Sequence, residues 1–201
     1  MKIILASGSP RRKELLSRAG YTFEVCVSNA DENVDPGNPG DMVEELARRK
    51  AMAVADEICA SGRKDTVLVI GADTVVILDG EILGKPEDEE DAFNMLTRLS
   101  GRTHQVDTGV AGVVIRNGQI EWVTGFSEET DVTMRPVKDR EIRDYIACGE
   151  PMDKAGAYGI QGRAAVFISS ICGDYYNVVG LPLCAVVQMI MKAETLFQER
   201  I

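Results

Sequence analysis

The sequence of 201 residues is poor in the groups that build metal centres and stacking platforms: one histidine, one tryptophan, 5 Phe and 5 Tyr. With His104 the only imidazole, a multi-histidine centre or a Cys/His zinc site is close to excluded. The five cysteines, Cys26, Cys59, Cys148, Cys172 and Cys184, are odd in number, scattered and never in a C-x-x-C pair. They read as reduced, buried residues of a cytoplasmic protein, and disulfides are not required. Long apolar runs are missing too. Val178 to Met191 is interrupted by Gly180, Pro182 and Gln188, and the apolar part of MKIILASGSPRR is too short for a signal peptide, so no membrane partner is expected. There is no low-complexity tract, repeat or linker. That leaves one globular domain over 1–201, long enough to bury roughly 70% of its unfolded surface. Positive charge is in deficit, 22 Lys and Arg against 32 Asp and Glu, for a net charge of −10. Such a chain repels polyanions, and no nucleic acid is expected as a partner. A small phosphorylated ligand stays open, because screening confines each charge to about 10 Å and a local cluster of cations decides what a pocket binds.

Periodicity and punctuation give an α/β chain with a mixed sheet. A strand over Lys2 to Ala6 leads through Ser7-Gly8-Ser9 into a helix from Pro10 to Ala19, capped by Ser9 and ended by Gly20. Thr22 to Ser28 alternates as a strand, and Asp41 caps a helix running to about Ala60. Thr66 to Leu78 and Glu81 to Leu83 form a hairpin through Asp79-Gly80, and Thr103 to Arg116 and Gln119 to Val123 form another through Asn117-Gly118. Further elements are helices from Pro86 to Ser100, Lys138 to Cys148 and Pro182 to Phe197, with strands over Thr130 to Met134 and Ala164 to Ser170.

Several residues contradict their surroundings, and chemistry concentrates at such positions. Asp73 is the only charge in VLVIGADTVVIL. An acid in a buried strand suits a general base or a metal ligand; the plainer reading is a turn cap at the sheet edge. Lys50 lies on the apolar stripe Val43, Ala47, Lys50, Val54, Ile58, where an ammonium either meets an anion or snorkels to water. Ser7-Gly8-Ser9-Pro10-Arg11-Arg12 joins a strand to a helix start, so free N–H groups, hydroxyls and guanidiniums converge as at an anion site. A solvated cap is the alternative. Lys85 follows the hairpin that begins at Asp73 and can return near it; a merely solvated loop lysine is the alternative. Asp153 to Gly162 carries Lys154, three spaced glycines and Gln161, which suggests backbone close to a ligand and an amide reading a base edge; a plain glycine-rich connection is the alternative. Its glycines do not fit G-x-G-x-x-G, and GEILGKP falls short of a P-loop. His104 reads as structural.

Together these segments resemble the Maf family of nucleotide pyrophosphatases. The resemblance rests on Ser7 to Arg12, Glu32, Ala47 to Ala51, Gly71 to Val76, Gly84-Lys85-Pro86, Leu99 to Val106, Glu150 to Gly162 and Val178 to Leu183. It implies an elongated, twisted mixed β-sheet flanked by helices, in two lobes with a central cleft, akin to inosine triphosphatases. It also implies metal-dependent hydrolysis of nucleoside triphosphates to monophosphate and pyrophosphate, with Mg²⁺ or Mn²⁺ helped by Glu32 or Asp73. Asp73-Thr74 and the Gln161 loop are similar to the subgroup acting on dTTP and UTP. By this resemblance Asp73 is the expected base, with Glu32, Lys50 and Lys85 beside it as catalytic residues. Ser7, Ser9, Arg11, Arg12 and Lys154 are expected to bind phosphate, and Arg12, Thr74 and Gln161 to discriminate substrates. A homodimer is implied as well. The competing expectation is a nucleotide-binding regulator of cell division without catalysis, which would need the cations but not the base.

Overall fold

The computed structural model describes residues 1–31, 34 and 37–197. The strands are β1 (Lys2–Leu5), β2 (Glu24–Val25), β3 (Val67–Leu78), β4 (Glu81–Leu83), β5 (Thr103–Arg116), β6 (Gln119–Met134) and β7 (Ile168–Cys172). They form one sheet in the order β2-β1-β3-β5-β6-β7, with β4 paired to β3. The helices are α1 (Pro10–Arg18), α2 (Pro39–Ala60), α3 (Glu89–Leu99), α4 (Asp139–Ile146), α5 (Tyr175–Val179) and α6 (Leu183–Phe197). The sheet is mixed, as the connections require. β1 runs parallel to β2 and β3, reached through helical crossovers, whereas β4 pairs antiparallel with β3 and β7 with β6. Asp79-Gly80 and Asn117-Gly118 turn with positive φ at both residues, the type I′ geometry that the two dipeptides favour.

The chain divides into two compact units. One comprises Met1–Asp73, Thr108–Ser127 and Gly180–Ile201; the other comprises Thr74–Asp107 and Glu128–Val179. In the first, Ala47, Ala51, Val54 and Ala55 of α2 pack on Ile4, Val67, Val69, Ala111 and Val113. Small residues on α2 bring its backbone against β3 at Gly71. A Cβ there would run into the Ala47 carbonyl and stand 2.8 Å from the Ala51 amide nitrogen. In the second unit Val76 and Leu78 meet Leu96 and Leu99 of α3, Ile142 and Tyr145 of α4, and Phe167. Asp88 caps α3 by accepting from the Asp91 amide at 2.8 Å, and Glu89, Glu90 and Asp91 favour its N-terminal dipole.

Several expectations need correction. β2 spans two exposed residues, not Thr22 to Ser28, because it pairs only with β1. α2 begins at Pro39, since the Asn38 side chain accepts from the Gly40 amide at 2.9 Å and supplies the cap expected of Asp41. β6 runs unbroken through the polar stretch where two strands were expected. Residues Arg163–Phe167 form 3-10 turns rather than strand, α5 is an element without a sequence signal, and β7 lies later than the expected Ala164 to Ser170. None of the cysteines is buried. Cys26 and Cys59 are half-buried, and Cys148, Cys172 and Cys184 are exposed. Among the described residues no helix is long and apolar enough to cross a membrane.

Candidate active site

Asp73 and Lys50 are brought together. The Lys50 Nζ donates to Asp73 Oδ1 at 2.6 Å, with side chains only 14% and 17% exposed. The reason is local. Gly71 lets α2 approach β3 closely, and Lys50, one residue before Ala51 in the helix, reaches the acid two residues beyond Gly71. Of the two readings of Lys50, pairing rather than snorkelling is realised. The acid is partly rather than fully buried, so it retains access to solvent while its orientation is fixed by a charge-assisted bond.

The turn after β1 forms a second cluster in the same unit. Ser7 is buried, and its Oγ accepts from Arg12 Nη1 at 3.1 Å and from the Ser9 amide at 3.3 Å. Ser9 is the N-cap of α1 and Pro10 stands at its first position. Arg12 Nε donates to the Gly180 carbonyl at 2.8 Å, which ties this turn to the start of the C-terminal segment. Arg11 is half-buried in the first turn of the same helix, which has no acid there. The geometry is a helix N-terminus with fixed hydroxyls and an oriented guanidinium, a donor-rich place suited to phosphate oxygens.

In the second unit, β4 carries the chain back along β3 in the register Val76↔Leu83, Ile77↔Ile82, Leu78↔Glu81. Lys85 follows, exposed, and Thr74 is half-exposed at the start of this unit's part of β3. The Gly156 amide donates to the Gly84 carbonyl at 3.0 Å, so the glycine-rich stretch is fastened beside the Lys85 loop. Lys154 has a side chain only 13% exposed and donates to Asp153 Oδ1 and the Glu150 carbonyl, both at 2.6 Å. Gln161 is exposed. Glu32 lies outside the described residues. Among the described residues no three His, Cys, Asp or Glu side chains gather as a ready-made metal cage.

Sequence reasoning read His104 as structural and assigned no role to Asp107 or Glu150. His104 is buried, with Nε2 at 2.7 Å from the Tyr158 hydroxyl, and burial lowers its pKa to about 4. It is a neutral structural residue, as expected. Asp107 is 5% exposed with Oδ1 unpartnered among the described residues. Burial, then Glu129, raises its pKa to about 6. Its neighbours in THQVDTGV are largely polar, so the signal that marked Asp73, a lone charge in an apolar run, is missing there. Glu150 accepts from the Tyr145 hydroxyl and from the Arg163 amide, each at 3.0 Å.

Comparison with known proteins agrees with the motifs. The family model described as Maf-like protein matches residues 2–193. The chain is 55% identical over 192 residues to a protein of Symbiobacterium thermophilum named dTTP/UTP pyrophosphatase, covering 95% of this chain and 93% of that one. It is 48% identical over 198 residues to a protein of Agathobacter rectalis with the same name, at 95% and 97% coverage. The crystal structure of a dITP/XTP pyrophosphatase from Mycobacterium abscessus aligns over 99% of this chain and 100% of that chain, with TM-score 0.42 and 14% identity.

Proposed function

The chain belongs to the Maf family, and from that premise we propose that it hydrolyses nucleoside triphosphates, dTTP and UTP above others, to the monophosphate and pyrophosphate. The observation that carries the reading is the Lys50–Asp73 pair, an acid held in position on a strand that is otherwise apolar. Asp73 takes the proton of a water whose oxygen bonds to the α-phosphorus. The bond from that phosphorus to the bridging oxygen breaks, and its electron pair leaves with pyrophosphate. Lys50 binds Oδ1 and leaves Oδ2 to meet the water. Ser7, Ser9, Arg11 and Arg12 receive phosphate oxygens, and Lys85 and Lys154 take the same charge-neutralising role on the family resemblance. Positioning and electrostatics supply most of the acceleration in such transfers. Arg12, Thr74 and Gln161 discriminate among substrates.

A divalent cation fits this donor set. Mg²⁺ keeps several waters and needs only one or two carboxylates beside substrate phosphates, so no protein cage is required and Glu32 or the partly exposed Asp73 would hold it. When bound, such an ion supplies charge stabilisation at the phosphoryl oxygens. The protein is cytoplasmic and a homodimer in this reading, on family grounds. A purely regulatory nucleotide binder is not favoured, since it would have no use for the positioned acid.

The test is a panel of triphosphates with Mg²⁺ in ¹⁸O-water. Monophosphate carrying the label together with unlabelled pyrophosphate supports attack at the α-phosphorus. Diphosphate plus orthophosphate would refute it.

A further inference from the structure

The glycine-rich loop is shaped around one carboxylate. Glu150 Oε1 accepts from the Tyr145 hydroxyl, and Oε2 accepts from the Arg163 amide immediately after the loop. Gly162 lies so close that a Cβ on it would occupy the space of the carboxylate itself. At the loop's other end a Cβ on Gly159 would stand 2.7 Å from Lys154 Cε, and Lys154 Nζ is bound to the Glu150 carbonyl at 2.6 Å. The Gly162 amide closes the loop on the Gly159 carbonyl at 3.1 Å. The anchor behind Glu150 is rigid. Tyr145 is 3% exposed and packs edge-on against Phe167, with ring centroids 5.5 Å apart. Burial, then the charge of Glu150, keeps its hydroxyl in the protonated, donating form. Gln161 is thus an exposed amide between two residues whose backbone is held from below.

We propose that Glu150 is a positioning residue for substrate selectivity: it fixes the Gly159–Gly162 loop on the α4 core so that Gln161 presents its amide to the nucleobase. The proposal rests on the reading of Gln161 as the base-contacting residue. A loop ordered before binding spares the complex the cost of ordering it. The gain goes to the nucleotide whose edge matches the amide, so Glu150 acts on discrimination and KM rather than on the chemical step.

The experiment compares kcat/KM for dTTP and dCTP in the wild type, Glu150→Ala, Glu150→Gln, Tyr145→Phe and Gln161→Ala, with thermal midpoints measured alongside. Glu150→Ala is expected to lower the dTTP:dCTP ratio about tenfold, mainly through KM for dTTP. Glu150→Gln keeps the shape but has one acceptor where Glu150 has two, so it serves either the Arg163 amide or the Tyr145 hydroxyl and the ratio is expected to lie between those of wild type and Glu150→Ala. Tyr145→Phe removes the hydroxyl that bonds both Glu150 and the Gly159 backbone and is expected to lower the ratio about threefold; should Glu150→Ala not fold, Tyr145→Phe read together with Glu150→Gln carries the test. An unchanged ratio in Gln161→Ala refutes the base-reading role itself. A changed ratio in Gln161→Ala with an unchanged one in the folded Glu150→Ala or in Tyr145→Phe overturns the positioning role. Equal losses for both nucleotides, or a Gln variant as impaired as Ala, overturn it as well.

Discussion

Lys50 Nζ and Asp73 Oδ1 stand 2.6 Å apart, joining the inner face of α2 to the one acid of β3. An ammonium on an apolar helix stripe and a carboxylate in an apolar strand each carry a desolvation cost alone; facing each other they offset it. The pair also fixes which carboxylate oxygen remains for chemistry. Asp73→Asn preserves shape and removes the proton acceptor, so kcat is expected to fall about 10²–10⁴-fold with KM changed little. Lys50→Met keeps the packing stem but frees the carboxylate to rotate, and is expected to lower kcat by a smaller factor. Steady-state kinetics on both folded variants check this, and wild-type kcat in Asp73→Asn would remove the proposed base.

Arg12 makes two oriented contacts at once, from Nε to the Gly180 carbonyl and from Nη1 to Ser7 Oγ. Lysine cannot reproduce a planar fork. Those two contacts aim the guanidinium, and if the lysine loses one charge-assisted bond to a phosphate oxygen, of about 1.5–3 kcal/mol, kcat/KM for Arg12→Lys is expected to fall about 10–150-fold. Kinetics with dTTP as varied substrate decide it; a lysine variant with unchanged kcat/KM would mean that charge alone matters at this position.

Gly71 makes the Lys50–Asp73 distance possible, and its neighbours are helix backbone that cannot rotate aside. Gly71→Ala must push α2 away from β3. Overpacking of this kind costs about 1–3 kcal/mol, so the urea midpoint is expected to fall. Activity should fall further than stability does, because the displaced helix carries Lys50. Full activity in this variant would show that the close approach is not what sets the pair.

How far these features could be read from the chain depends on where the determining interactions lie. Asp73 and Lys50 were legible because each violates an apolar pattern, and the Ser7 to Arg12 turn was legible because cap, Pro and arginines are local. The role of Glu150 was not legible, although the residue opens one of the segments that carry the family resemblance. Its partners Tyr145 and Arg163 are contacts of tertiary structure, and a glutamate beside Pro151 in a polar stretch contradicts nothing nearby. The same division holds for the fold. The two Xaa-Gly hairpins and α3 follow from local turn and cap chemistry, whereas the length of β2 is set by the pairing available on β1 and that of β6 by its ladders with β5 and β7. The outward placement of Cys172 and Cys184 depends on which face the sheet and α6 present, and composition does not specify that.

Two buried titratable groups three residues apart on β5 pull stability in opposite directions as pH changes. Asp107 has its pKa raised from 3.8 to about 6 by burial and then by Glu129, so the folded chain keeps a proton that the unfolded chain releases. Its contribution therefore falls as pH rises from about 4 to 6 and is constant above. His104 has its pKa lowered from 6.5 to about 4 by burial, so the unfolded chain takes up a proton first. Its contribution is lost as pH falls from about 6.5 to 4. In the wild type the two trends partly cancel across the same interval. Asp107→Asn removes only the first, and its stability relative to wild type is expected to improve by on the order of 1–3 kcal/mol between pH 4 and pH 7. Any fixed packing cost of the amide drops out of that difference. Urea titrations of both proteins at the two pH values measure it. A relative stability that is flat with pH would show that Asp107 is ionised in the folded protein as readily as in the unfolded one.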